Sequence, residues 1–179
     1  MGRYLRSVQN GESPQWLRNR LLSIGLNPIS ALVDITNYLT FDRARPLHVF
    51  DADKLSGGLT VRRSVEGEKF HALDDKIYEL NDGMIVITDE KEIVSLGGII
   101  GGMKSAVSDQ TKNVLLEAAY FDPISIAATG RKLQINSDAR YRFERGVDPS
   151  FTLSGSHIAT KMILDLCGGE ASDIIIAGS

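Results

Sequence analysis

Helix signals gather toward the two ends of this chain and strand signals fill its middle. That order predicts an α+β fold, a mixed β-sheet core flanked by helices, rather than a doubly wound sheet. Short apolar runs around Asp-containing turns mark the strands. Ser-Pro, Asn-Pro and Asp-Pro pairs ahead of longer apolar stripes mark the helices.

The first helix is expected to start at Ser13-Pro14, with Leu17, Leu21 and Ile24 as its apolar stripe and Gly25 as its stop. Asn27-Pro28 repeats the start signal, and Ile29, Leu32, Val33, Thr36 and Leu39 mark a second helix. A charged loop, Asp42-Arg43-Ala44-Arg45, leads to Pro46. Residues 59–63 read as a strand. Residues 70–73 and 76–80 flank Asp74-Asp75 as a hairpin, and residues 84–88 and 92–96 flank Asp89-Glu90-Lys91 as another. A further strand covers residues 114–121. Asp122-Pro123 then caps a helix through Leu133, and Asp148-Pro149 caps a longer one that ends near Cys167 with Gly168 as its stop. Residues 174–177 read as a final strand. Residues 1–179 make one module. A seam near residues 82–92 would divide it into two intimately packed halves near 1–85 and 86–179.

With 179 residues the chain has ample material for a core, and its apolar and charged fractions are those of a soluble globular protein. No apolar run approaches a membrane span, and the opening Met1-Gly2-Arg3-Tyr4 shows no signal-peptide pattern. Cys167 is the single cysteine, which leaves no intrachain disulfide and no thiolate metal site. The cytosol is the default location. A net charge of −3 argues against a strong free-standing nucleic-acid binder, though not against a module that handles nucleic acid within a larger assembly.

Candidate chemistry is concentrated at a few places. Glu117 stands inside the apolar run Val114-Leu115-Leu116-Glu117-Ala118-Ala119, on the face of Leu115 and Ala119 if the run is a strand. A carboxylate on a buried face needs a partner or a proton, and such a group is often functional. On an exposed edge the same acid is simply solvated. Gly97-Gly98-Ile99-Ile100-Gly101-Gly102 is neither a P-loop nor a dinucleotide fingerprint. Such glycine density permits close backbone approach to a ligand, or a tight turn without one. His48 lies between apolar neighbours with Asp51 close in sequence, and His71 and His157 have no comparable setting. Three scattered histidines give no metal-ligand spacing, so no metal is expected. Asn37 shares a helix face with Val33 and would need partners if it points inward. Arg131, Lys132, Arg140, Arg142 and Arg145 form a basic cluster that either meets phosphates or pairs with the interleaved Asp138, Glu144 and Asp148.

Five stretches in one order carry a resemblance: Val33-Asp34-Ile35-Thr36-Asn37-Tyr38, Pro46-Leu47-His48-Val49-Phe50-Asp51, Gly98-Ile99-Ile100-Gly101-Gly102, Leu116 to Pro123, and Arg142-Phe143-Glu144-Arg145-Gly146-Val147-Asp148-Pro149. The series resembles the editing module of the bacterial phenylalanyl-tRNA synthetase β subunit, over nearly the whole chain. The resemblance implies an α+β module in the middle of a much longer β chain. That chain pairs with a catalytic α subunit in a cytoplasmic (αβ)₂ ligase that uses ATP and Mg²⁺; the module itself needs no cofactor. Its expected task is hydrolysis of tyrosine wrongly esterified to the phenylalanine tRNA. A pocket built for phenylalanine rejects an added hydroxyl by only about a hundredfold. A second site that demands the hydroxyl can discriminate by roughly 10⁴ or more.

By motif position the resemblance assigns Glu117 to reading the tyrosine hydroxyl and His48 to a place near the ester, where it helps position water. Thr36 and Asn37 would hold the aminoacyl end. Gly98 and Gly101 would admit the ring, and Ala139 would stay small to leave it room. Ser137 takes a place where members often carry threonine, and Gln134 one where they often carry glycine. Water attack on the already activated ester is expected, without metal or covalent intermediate, with the terminal ribose hydroxyl of the tRNA assisting. Other readings of the same residues are a non-catalytic tyrosine-binding module or spacer, and a tRNA-contact module.

Overall fold

The computed structural model describes residues 1–178. In chain order it contains β1 (Gly2–Arg6), α1 (Gln15–Ser23), α2 (Ala31–Asp42), β2 (His48–Asp51), β3 (Thr60–Arg63), β4 (Lys69–His71), β5 (Ile77–Glu79), β6 (Ile85–Thr88) and β7 (Ile93–Leu96). β8 (Ile100–Gly101), β9 (Val114–Glu117), α3 (Pro123–Lys132), α4 (Asp138–Phe143), α5 (Phe151–Cys167) and β10 (Glu170–Ile175) complete the order. The expected α+β class holds, and the strand pairs of its sheets are antiparallel. Two compact units divide the chain. The first takes residues 1–53, 107–119 and 148–179; the second takes 54–106 and 120–147. Residues 82–92 fall inside the second unit.

In the first unit the strands run β10-β1-β9-β2, so the strand that carries Glu117 is central. Alternation sends Val114 and Leu116 to one face, where they are fully buried. There they join Leu5 and Val49 from neighbouring strands, Leu17 and Leu21 from α1, Leu32, Ile35 and Leu39 from α2, and Ala159 and Ile163 from α5. Each such leucine or isoleucine contributes roughly 1.5–3 kcal/mol by leaving water. Leu115 and Glu117 occupy the opposite face.

Local chemistry explains where the elements begin and end. Ser13 does not cap α1. Its hydroxyl donates to the buried Asp34 carboxylate at 2.6 Å, and Pro14 takes the cap position. Asp34 also accepts from the Ile29 amide at 2.8 Å. The second helix starts at Ala31 and not at Asn27, with extended Ser30 at its cap position and Ile29 left 72 % exposed. Ile24 lies beyond the last turn of α1, exposed rather than on its stripe. The strand expected over residues 114–121 stops at Glu117, and Asp122 caps α3 by accepting from the Ser125 amide at 2.8 Å. The final strand lies earlier than expected, because β10 aligns with β1 from Arg6↔Glu170 to Gly2↔Ile175. β1, β2, β8 and α4 were not anticipated by the sequence patterns.

The second unit pairs its strands as β3-β6-β7-β8, with β4-β5 as a separate hairpin. Both hairpins read from the sequence are present. Phe121 and Phe143 meet edge to face at 5.2 Å between centroids, with Ile126 beside them against Gly98.

Candidate functional site

The register of β2 against β9 sets His48 directly opposite Glu117. Directly opposed residues carry their Cβ atoms about 4.5–5.5 Å apart on the same face. On the other side Glu117 is opposed by Gly2, which places no side chain beside the carboxyl. Both residues are half-buried. Burial pushes the Glu117 carboxyl up to about 7. Burial holds the His48 imidazole down at about 4, so the ring is neutral at neutral pH.

Neither group is satisfied from within. His48 Nε2 is buried without a hydrogen-bond partner, and the ring rests edge to face on Phe50 at 4.4 Å. No side-chain or backbone donor among the described residues bonds the Glu117 carboxylate. Unpaired buried polar atoms are uncommon and costly, by about 1–3 kcal/mol each. His48 carries one such atom, and the half-buried Glu117 carboxyl opposite it bonds no protein donor, so the strand pair offers a ligand or water two polar groups to satisfy.

α2, which carries Thr36 and Asn37, packs against β2 in the same unit. Thr36 is buried and its hydroxyl donates to the Val33 carbonyl at 2.8 Å, so the proton serves the helix. Asn37 is half-buried. Sequence reasoning passed over Arg45. Flanked by Asp42 and Arg43 it reads as part of a solvated loop, yet it is 1 % exposed. Its guanidinium donates to the Ala119 carbonyl at 3.0 Å and to the Asp148 carbonyl. No pattern in the sequence separates it from its exposed neighbours.

Gly98, Gly101, Ser137 and Ala139 belong to the second unit. Gly98 sits at φ +68°, and a Cβ there would come within 2.8 Å of Phe121 and 3.1 Å of Phe143. Packing inside the unit thus demands glycine at this place whatever else the loop does. Gly101 is buried and pairs with Ser95 in the β7–β8 ladder. Ser137 caps α4, accepting from the Arg140 amide at 3.0 Å, and donates to the Ile99 carbonyl at 2.6 Å. One hydroxyl therefore ties the glycine loop to the helix that bears the half-buried Ala139. Gln134 keeps a glycine-like backbone, with φ +56°.

Three of the five members of the basic cluster are paired charges, while Arg131 and Lys132 are exposed. Arg140 meets Glu144 at 2.9 Å, Arg142 meets Asp138 at 3.4 Å, and Arg145 meets Glu144 at 2.8 Å while lying over the Tyr141 ring. The salt-bridged alternative describes these arginines.

Fold and site together define an α+β module in which a desolvated acid and a neutral histidine oppose one another on adjacent antiparallel strands. Residues 1–168 match the family model of the B3/4 domain, and the chain belongs to that family. Over 178 residues it is 59 % identical to the phenylalanine–tRNA ligase beta subunit of Ruegeria pomeroyi, covering 99 % of this chain and 22 % of that protein. It is likewise 59 % identical over 180 residues to the phenylalanine–tRNA ligase beta subunit of Rhodospirillum rubrum, covering 100 % of this chain and 22 % of the relative. The chain thus spans 22 % of the length of these curated relatives. A crystal structure of an N-terminal fragment of the phenylalanyl-tRNA synthetase beta subunit from Pyrococcus horikoshii superposes with a TM-score of 0.55 at 13 % identity, over 95 % of this chain and 45 % of that one. At that identity the likeness concerns the fold.

Proposed function

We propose that this chain is the proofreading module of a phenylalanyl-tRNA synthetase β subunit and hydrolyses tyrosine wrongly esterified to the phenylalanine tRNA. The observation that carries the reading is the Glu117–His48 pair, an acid shifted by burial opposite a histidine whose buried Nε2 has no partner. A tyrosine hydroxyl supplies the donor that the Glu117 carboxylate lacks. A phenylalanine ring supplies none and leaves the carboxyl oxygen unsatisfied, so the site rejects the correct product by the penalty on an unsatisfied group. His48, neutral at working pH with Nε2 free, orients water toward the ester. Thr36 and Asn37 hold the aminoacyl end. Gly98, Gly101 and Ala139 keep room for the ring, and Ser137 fixes the loop and helix that carry them. In the whole enzyme the α subunit completes an (αβ)₂ assembly in the cytoplasm, and ATP and Mg²⁺ serve the ligase reaction elsewhere. No cofactor acts in this module.

The test replaces Glu117 by Gln and by Ala in the complete ligase and compares deacylation of tyrosyl-tRNA with that of phenylalanyl-tRNA. A hydrogen bond to a charged acceptor contributes about 1.5–3 kcal/mol, so tyrosyl-tRNA hydrolysis should slow by roughly ten- to a hundredfold or more. Phenylalanyl-tRNA hydrolysis should hold steady or rise, and Gln should keep more discrimination than Ala because its amide oxygen still accepts. Parallel loss for both substrates, or loss for neither, would leave Glu117 a structural acid.

A further inference from the structure

We infer that Arg45 is a positioning residue for the Glu117–His48 pair, closing the end of the β2–β9 ladder where the backbone cannot. This inference rests on the proofreading reading above and names a further residue that it requires.

The ladder ends at His48↔Glu117. Continuing the same register by two residues sets Pro46 beside Ala119. Proline has no N–H, so no ladder bond can form from it there. The Arg45 guanidinium supplies the donor instead, bonding the Ala119 carbonyl at 3.0 Å. Its other terminal nitrogen bonds the Asp148 carbonyl, at the approach to α5. Arg45 precedes His48 by three residues, and Ala119 follows Glu117 by two. One side chain therefore joins the chain entering the histidine's strand to the chain leaving the acid's strand, and ties both to the segment ahead of the long helix.

The arrangement is costly and is accommodated by design elsewhere in the unit. Arg45 is buried, and its partners are two neutral carbonyls; Nε has none. Burial lowers the guanidinium pKa, and the Asp148 charge opposes that only through space. A buried cation without an ion pair is a poor device for stability alone. α5 also makes room for the stem: a Cβ at Gly155 would stand 2.8 Å from Arg45 Cγ. The side chain is held in place from three directions and, in turn, holds the exit of β9 in place. Small displacements of reacting groups cost up to about a hundredfold in rate, which gives such a clamp its value.

In the complete ligase, Arg45→Met removes the donors and keeps the stem, and Arg45→Lys keeps a charged donor. For tyrosyl-tRNA deacylation, Arg45→Met should lower kcat by roughly ten- to a hundredfold with KM nearly unchanged, because Arg45 does not touch the substrate. Arg45→Lys should recover part of that loss. Placed on Glu117→Ala, Arg45→Met should cost clearly less than in the parent, since one of the two groups it positions is already removed. A collapse of local structure would instead lower the double variant by the full factor seen in the parent or more, and that outcome overturns the inference. So does a loss confined to KM, or a kcat within about twofold of the parent. If Arg45→Met yields no folded protein, Arg45→Lys carries the same comparison, with a partial kcat loss expected in the parent and a smaller one in the Glu117→Ala background. Loss on Glu117→Ala without loss on Arg45→Met removes Arg45 alone. No loss on Glu117→Ala removes the proofreading reading and this inference with it.

Discussion

Burial moves the carboxyl of Glu117 up to about 7 and the imidazole of His48 down to about 4, so the two groups link stability to pH with opposite signs. From the ordinary glutamate value of 4.5 up to about 7, folded Glu117 keeps a proton that the unfolded chain has released, and stability falls as pH rises. From 6.5 down to about 4, the unfolded chain takes a proton that folded His48 refuses, and stability falls as pH drops. Glu117→Gln should therefore gain on the parent as pH rises from 4.5 to above 7, by on the order of 1–3 kcal/mol. His48→Gln should gain as pH falls from 6.5 toward 4. Thermal melts of both variants at several pH values read the slopes, and slopes of the same sign would mean that one group is not desolvated as described. The oddity of Glu117 was legible because an acid interrupts an apolar alternation. Its partner was not, because opposition to His48 arises from pairing between strands some seventy residues apart, which no local pattern encodes. Arg45 was hidden for a related reason: a buried and a solvated arginine in a charged loop have the same neighbours in sequence.

At the scale of elements, what the chain encodes locally could be read and what it encodes at a distance could not. Both hairpins of the second unit lie between turn residues that also end their strands, so pattern and pairing coincide. β1 contains Arg3, Tyr4 and Arg6, and β2 has Val49 and Phe50 buried in succession, which breaks the alternation. Each becomes a strand through its pairing with β9. α4 reads as a cluster of arginines until its acids are placed beside them. The end of α3 offers a direct measurement. Leu133 caps that helix and Gln134 follows in the left-handed region at φ +56°, where a Cβ costs about 1–2 kcal/mol. Its side chain is exposed, so little packing is lost on its removal. Gln134→Gly should stabilise the chain by about 0.5–1 kcal/mol after the added freedom of the unfolded glycine is counted, raising Tm by a few degrees. A lower Tm would show that the glutamine side chain contributes more than its exposed position indicates.

Taken whole, the molecule carries a net charge of −3, and three of the four arginines that looked available for phosphates, Arg140, Arg142 and Arg145, are held by Asp138 and Glu144. The 179-residue chain should therefore bind tRNA weakly and with a shallow salt dependence. A salt-titrated binding isotherm checks this, and submicromolar affinity at physiological ionic strength would overturn it. The fold class followed from the order of helix and strand signals. The two compact units did not, because the chain passes between them at residues 53–54, 106–107, 119–120 and 147–148 without any change in composition. The sheet of the first unit has a further consequence, in time rather than space. β1 closes at Arg6, while its two partners begin at Val114 and Glu170. Synthesis at about 5–20 residues per second makes β1 wait roughly eight to thirty seconds for the last of them. The hairpins of the second unit, by contrast, find their partners within about microseconds of being made. Through that interval the nascent chain carries a strand with both edges unpaired and Leu5 uncovered. The surface left open through that interval is thus the one that finally packs with Val114 and Leu116, behind the face that carries Glu117.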